Sequence, residues 1–271
     1  MLDLVLPAPC AGCGAEVGGQ LCPACRELLV GLRGRRAGPS PAPAGLPPVH
    51  SCAVYGDPVR RLLLAHKERG ALRLAGPLGA VLAAAVGSAL DAVGPAIAAR
   101  DSAPLDAALL DSAPLDAAAL DRAPHRAALP GEILLVPVPS ARAAVRARGH
   151  DPMLRLARCA ARELNRSGRP CRVGPALRPS RRVADQAGLG AAARHRNLHG
   201  ALSVPARFHS RLAGRQIIVV DDLVTTGASL TEAARALATA GAPPLAAATI
   251  AATVRRAGGV PNAVHRRRQP G

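Results

Sequence analysis

The chain has 271 residues, 49% of them apolar, enough for one large α/β domain with a proper core plus a small module. Aromatic residues make up only 1%, with Tyr55 and Phe208 alone, so the core is expected to be built from Ala, Val and Leu, and aromatic platforms for stacking bases are almost absent. The net charge of +17, with Lys67 the only lysine, draws polyanions, but any grip on single-stranded DNA would have to come from charge alone.

The run Leu2 to Leu6 is short, carries Asp3, ends at Pro7 and has no basic residues before it, unlike a secretion signal. A cytoplasmic protein without disulfides is therefore expected. Cys10-Ala-Gly-Cys13 and Cys22-Pro-Ala-Cys25 form two CxxC knuckles eight residues apart, in a Gly-rich segment too small to fold on its own apolar surface. Four thiolates converging on one structural zinc would explain both the spacing and the stability. A pair of redox dithiols is the alternative, kept open by Pro23. Cys52, Cys159 and Cys171 stand among apolar residues and read as core thiols. Residues 1–45 are thus a zinc-binding module and linker, with an α/β domain expected over 49–256.

Lys67 lies near the end of an expected helix, just before Gly70. The uncharged stretch Leu74 to Leu90 is rich in Ala and short for a bilayer, which predicts a buried helix and no membrane insertion. Between 100 and 131, Asp101-Ser-Ala-Pro-Leu-Asp-Ala-Ala-Leu-Leu recurs almost unchanged from Asp111 and decays from Asp121. A Pro in every ten-residue period prevents one long helix, and so few repeats bury little, so a surface linker of low complexity is expected.

Glu132 to Ser140 predicts a strand stopped by Val-Pro-Val-Pro, because proline cannot donate to a central ladder. Arg142, Arg146 and Arg148 follow, then Asp151 and Pro152 as the N-cap and first residue of a helix. Arg178, Arg181 and Gln186 lie in a charged loop. Gln216 to Val220 predicts a buried parallel strand closed by Asp221 and Asp222. A small, hydroxyl-rich turn, Thr225, Thr226, Gly227, Ala228 and Ser229, then opens a helix running to about Ala240, with Ser229 and Glu232 spaced as a capping box and Gly241 as its stop. Backbone N–H groups and the helix dipole at such a turn favour an anion. The two carboxylates would repel a bare polyphosphate, and suit ribose hydroxyls or a hydrated magnesium ion instead. The residues themselves therefore indicate a phosphorylated sugar. The tail 257–271, rich in Arg, reads as a disordered basic extension.

The Asp-Asp-Leu-Val-Thr-Thr-Gly-Ala-Ser segment resembles the 5-phosphoribosyl 1-pyrophosphate (PRPP) signature of type I phosphoribosyltransferases. The Val-Pro-Val-Pro strand end, with Pro139, Ser140, Ala141 and Arg142, looks like the pyrophosphate loop of the glutamine amidophosphoribosyltransferase and ComF branches. Together with the zinc knuckles, the block from Tyr55 to Gly70, and the blocks from Arg178 to Leu189 and Arg194 to Ala201, the chain resembles the ComF family of competence proteins outside the repeat. Glu68, His150, Asp151, Pro152 and Leu202 depart from that family's pattern. The resemblance implies a type I phosphoribosyltransferase fold, a mainly parallel sheet flanked by helices. It further implies PRPP and Mg as ligands, Asp221 and Asp222 on the ribose, Thr225 to Ser229 on the 5′-phosphate, Arg178, Arg181 and Gln186 in a mobile catalytic loop, and Lys67 and Arg148 as pocket residues.

Three functions fit that resemblance: transfer of phosphoribose to an acceptor, a nucleic-acid-handling role in DNA uptake beside competence-machinery proteins, or PRPP sensing without turnover. The repeat, acidic through its aspartates, is expected to lie over basic surface. Deleting residues 101–130 should leave calorimetric PRPP affinity unchanged, and loss of binding would contradict a linker role.

Overall fold

The computed structural model describes residues 9–101, 131–140, 145–146, 148–181 and 190–253. Most of the repeat, the basic tail, Ala141, Arg142 and Gln186 lie outside the described residues.

The architecture is α/β, built on a six-stranded sheet of order β1-β2-β8-β7-β3-β4. Its strands are β1 (Arg35–Arg36), β2 (Val49–Val54), β3 (Ile133–Pro137), β4 (Cys171–Val173), β7 (Gln216–Val224) and β8 (Ala246–Ala252). β1 runs antiparallel to β2, and the other pairs are parallel. A separate two-stranded ladder pairs β5 (Arg178–Pro179) with β6 (Leu202–Ser203). The helices are α1 (Pro23–Gly31), α2 (Val59–Glu68), α3 (Ala75–Asp101), α4 (Pro152–Arg166), α5 (Ala191–Leu198), α6 (His209–Leu212) and α7 (Ala228–Thr239).

The period-two alternation of the strands divides the core between the two sheet faces. Ile218, Val220 and Leu135 pack with Leu82 and Val86 of α3 and Leu156 of α4. Ile217, Val219 and Val136 pack with Leu230, Ala233 and Leu237 of α7. With almost no aromatic volume to use, the layers must approach closely. A Cβ on Gly79 of α3 would lie 2.4 Å from Cβ of Cys159 on α4. The segment Leu72–Gly94 is long and apolar enough to cross a membrane by length and composition. Here it is a core helix, with Leu78, Leu82, Ala85 and Val86 fully buried.

Several local expectations are refined. Asp151 caps α4 as expected, its carboxylate accepting from the N–H groups of Met153 and Leu154. α7 ends in a Schellman motif, with Gly241 at φ +75° and N–H bonds from Gly241 to the Ala238 carbonyl and from Ala242 to that of Leu237. β7 does not stop at Val220. It runs on beside β8 to Val224, so Asp221 and Asp222 lie within the strand, past the point where β3 ends. The capping box does not form, because Gly227, with φ +77°, is the N-cap of α7 and Glu232 turns inward to accept the Leu202 N–H.

The sheet order creates a switch point. β3 leads through α4 to β4 on one side, whereas β7 leads through α7 to β8 on the other, with α4 and α7 on opposite faces. The carboxyl ends of β3 and β7 therefore border an open crevice, the favoured ligand position in such sheets. Gly79→Ala should cost about 1–3 kcal/mol in denaturant titrations through overpacking against α4. Gly76→Ala, whose Cβ meets nothing within 4 Å, should cost nothing.

Candidate functional site

Above the switch point is a cavity of about 380 Å³. It brings together Pro139 and Ser140 after β3, Asp221 and Asp222 on β7, Thr225 and Ser229 in the following turn, Lys67 at the end of α2, and Arg148 ahead of α4. A smaller adjoining cavity is lined by Thr225 through Ser229, so every described residue expected to cradle a phosphate faces one of the two spaces. Gly227 serves a different neighbour as well. A Cβ there would meet Leu46 at 3.0 Å, so its smallness admits the linker beneath the turn.

The carboxylates are unequal. Lys67 Nζ lies 2.9 Å from Asp222 Oδ2. Burial, then the neighbouring Asp222, raises the Asp221 carboxyl well above the ordinary carboxylate range, against the opposing pull of Lys67. Asp221 Oδ1 accepts the Asp222 N–H at 2.9 Å. Burial disfavours the Lys67 ammonium, but Asp222, Asp221 and Glu68 outweigh it and hold its pKa above the usual value. Two carboxylates facing one ammonium leave room for hydroxyl donors or a further cation.

Glu68, where the resembled family carries an aromatic residue, grips Arg148 Nη2 with both carboxylate oxygens at 3.2 and 3.0 Å. Arg148 Nη1 is buried without a hydrogen-bond partner, a donor suited to an incoming anion. His66, unnoticed in the sequence, also lines the cavity, and burial lowers its pKa so that the neutral ring is favoured. Leu63, Met153 and Leu156 supply an apolar wall. No local pattern marks these residues as neighbours, because α2 and α4 meet only through the fold.

Arg178 and Arg181 do not line this cavity. Arg178 Nη1 donates to the Pro175 and Leu177 carbonyls at 2.6 and 2.9 Å, and its guanidinium lies 5.4 Å from the Phe208 ring centroid. Arg181 Nη2 donates to the Asn197 and His199 carbonyls, both at 2.7 Å. Arg178 thus braces the approach to β5, while Arg181 ties the start of the excursion that leaves β5 to its return at β6. That return is clamped, since Glu232 accepts the Leu202 N–H and Arg235 donates to the Leu202 carbonyl, each at 2.9 Å.

At the N-terminus, the sulfurs of Cys10, Cys13, Cys22 and Cys25 lie within 4.8 Å of one another. Tetrahedral zinc with bonds of about 2.3 Å needs sulfurs roughly 3.8 Å apart, and Cys13 and Cys22 stand at 3.6 Å. The set suits a structural zinc, with all four positions taken by protein. Gly12 closes the first knuckle tightly, since a Cβ there would lie 2.9 Å from Cys25 Sγ and 3.3 Å from Leu62 on α2.

No protein-family model matches the chain, and no curated protein matches it.

Because the folded Asp221 carboxyl holds its proton more tightly than the unfolded one, its contribution to stability is greatest below the ordinary value of 3.8. It is lost as pH rises toward the folded value. At neutral pH, Asp221→Asn should therefore raise stability and with it Tm. Thermal melts should show that gain vanishing in acid.

Proposed function

We propose that the cavity binds PRPP together with magnesium, in a phosphoribosyltransferase fold of the ComF type, and that the protein transfers phosphoribose to an acceptor with release of pyrophosphate. One observation carries this reading: the acidic strand and hydroxyl-rich turn of one motif share a single cavity at the switch point with Pro139 and Ser140 of the other.

In this reading Thr225 and Ser229 donate hydroxyl hydrogen bonds, beside the backbone N–H groups of the turn, to the 5′-phosphate. Asp221 and Asp222 accept from the ribose hydroxyls and favour positive charge on the sugar as the bond from C1 to the pyrophosphate oxygen breaks. The acceptor supplies the electron pair for the new bond to C1 and loses a proton. Lys67 and Arg148 offer positive charge to the departing pyrophosphate. Magnesium, held through this carboxylate pair and the ligand's own oxygens, would neutralise charge on the leaving group. A cytoplasmic setting, where PRPP and magnesium are at hand, fits the same reading.

A second reading rests on a different place. Phe208 has the guanidinium groups of Arg207, Arg178 and Arg211 at 5.0, 5.4 and 5.8 Å from its ring centroid. This cationic, partly aromatic patch suits single-stranded DNA better than a sugar phosphate. PRPP sensing without turnover would use the first cavity unchanged.

Calorimetry with Mg-PRPP tests the main reading. The wild-type chain is expected to bind, while Asp221→Asn/Asp222→Asn should bind about 100-fold more weakly or not at all. Equal binding by both, or by neither, would overturn the assignment. Pyrophosphate release with an added amine or base would then separate transfer from sensing, and DNA binding that weakens steeply with salt would support the second reading.

A further inference from the structure

We propose that Arg194 of α5 is a ligand of the 5′-phosphate, a basic side chain brought from the far side of the excursion to close the cup made by the turn 225–229. The proposal rests on the donor-site reading above. Arg194 lines the small cavity of about 30 Å³ whose remaining walls are Asp221 and the segment Leu223 to Leu230. It is thus the basic member of a lining otherwise made of backbone, hydroxyls, apolar side chains and one carboxylate. Its Nε is buried and has no hydrogen-bond partner among the described residues. A buried guanidinium donor left unpaired is costly, and an anionic oxygen in the cup removes the cost.

The position of α5 is not incidental. His195, the next residue, donates from Nε2 to the Thr226 carbonyl at 3.1 Å, since a carbonyl can only accept. Leu198 and Ala201 form a buried cluster with Ala228, the first residue of α7. The helix is therefore fastened to the turn by the residues that follow Arg194. Guanidinium hydrogen bonds suit a phosphomonoester, whose oxygens present charge in several directions. This separates Arg194 from Arg178 and Arg181, whose guanidinium groups bond to carbonyls away from either cavity. The two ends of the donor would then be recognised by different arginines, Arg194 at the 5′-phosphate and Arg148 at the pyrophosphate.

Calorimetry on the full chain, with magnesium present, distinguishes these ends. Ribose 5-phosphate reports the phosphate cup, and inorganic pyrophosphate reports the other end. Arg194→Gln should weaken ribose 5-phosphate binding by about 10- to 100-fold and leave pyrophosphate binding unchanged. Arg194→Lys should recover part of the loss, and Arg196→Gln, on the neighbouring exposed position, should behave as wild type. Equal ribose 5-phosphate affinity in wild type and Arg194→Gln would overturn the proposal while leaving the donor site standing. So would an equal loss for both probes, which would mark a general structural effect. If the wild-type chain binds neither these probes nor Mg-PRPP, the donor-site reading falls and the role of Arg194 with it.

Discussion

The parallel pairing of β3 with β7 is the constraint on which the site depends. The register runs from Ile133 against Gln216 to Pro137 against Val220. The Val138 N–H still reaches the Val220 carbonyl at 2.9 Å, so Pro137 spends its missing N–H on the side facing β4, whose register with β3 ends at Leu135. A proline is tolerated there because no ladder partner remains. β7, supported by β8 on its other side, continues for four more residues. The acidic pair thereby lies past the last residue of β3, with β8 alone beside it and Asp221 in register with Thr249.

Two helices begin at this crevice, and they treat their N-termini differently. At α4 the orphan N–H groups of Met153 and Leu154 are taken by Asp151 Oδ1, which also accepts the Ser140 hydroxyl at 3.2 Å. That terminus carries its own anion, and its dipole is already answered. At α7 the N-cap is Gly227, which has no side chain to offer. The same helix-end chemistry is internally neutralised on one wall and left without a side-chain cap on the other, an arrangement suited to an external anion at the turn 225–229. Asp151 stands where the resembled family has an amide, so part of this asymmetry belongs to this chain.

What the sequence made legible was local. The CxxC spacing, the Asp151-Pro152 helix start, the Gly241 stop and the strand-turn-helix order all follow from interactions within a few residues, where spacing alone fixes geometry. The overrun of β7 was hidden because it depends on β8, whose alanines give no pattern of their own. Glu232 illustrates the same limit. Its distance from Ser229 suits a capping box, but a buried partnership with Arg235 and the backbone of Leu202, 30 residues away, prevails. Its carboxyl is correspondingly depressed, with burial opposing and the Arg235 bonds prevailing. Glu68 and Arg148 are 80 residues apart, and a lost aromatic residue could be noticed without revealing what replaced it.

The four-cysteine knuckle and the cavity are joined through α2. Near its middle, Leu62 is fully buried and packs beneath Gly12, where the first knuckle closes against Cys25. At its end, Lys67 reaches Asp222 and Glu68 reaches Arg148. A ten-residue helix is too short to be stable alone, so its position must come from what it packs against. The buried face of α2 is therefore fixed partly by a segment in which four cysteine sulfurs converge. The placement of a positive charge beside the acidic pair then depends on packing at the opposite end of the chain, which explains why a module with no ligand position to spare sits directly against the helix that carries Lys67.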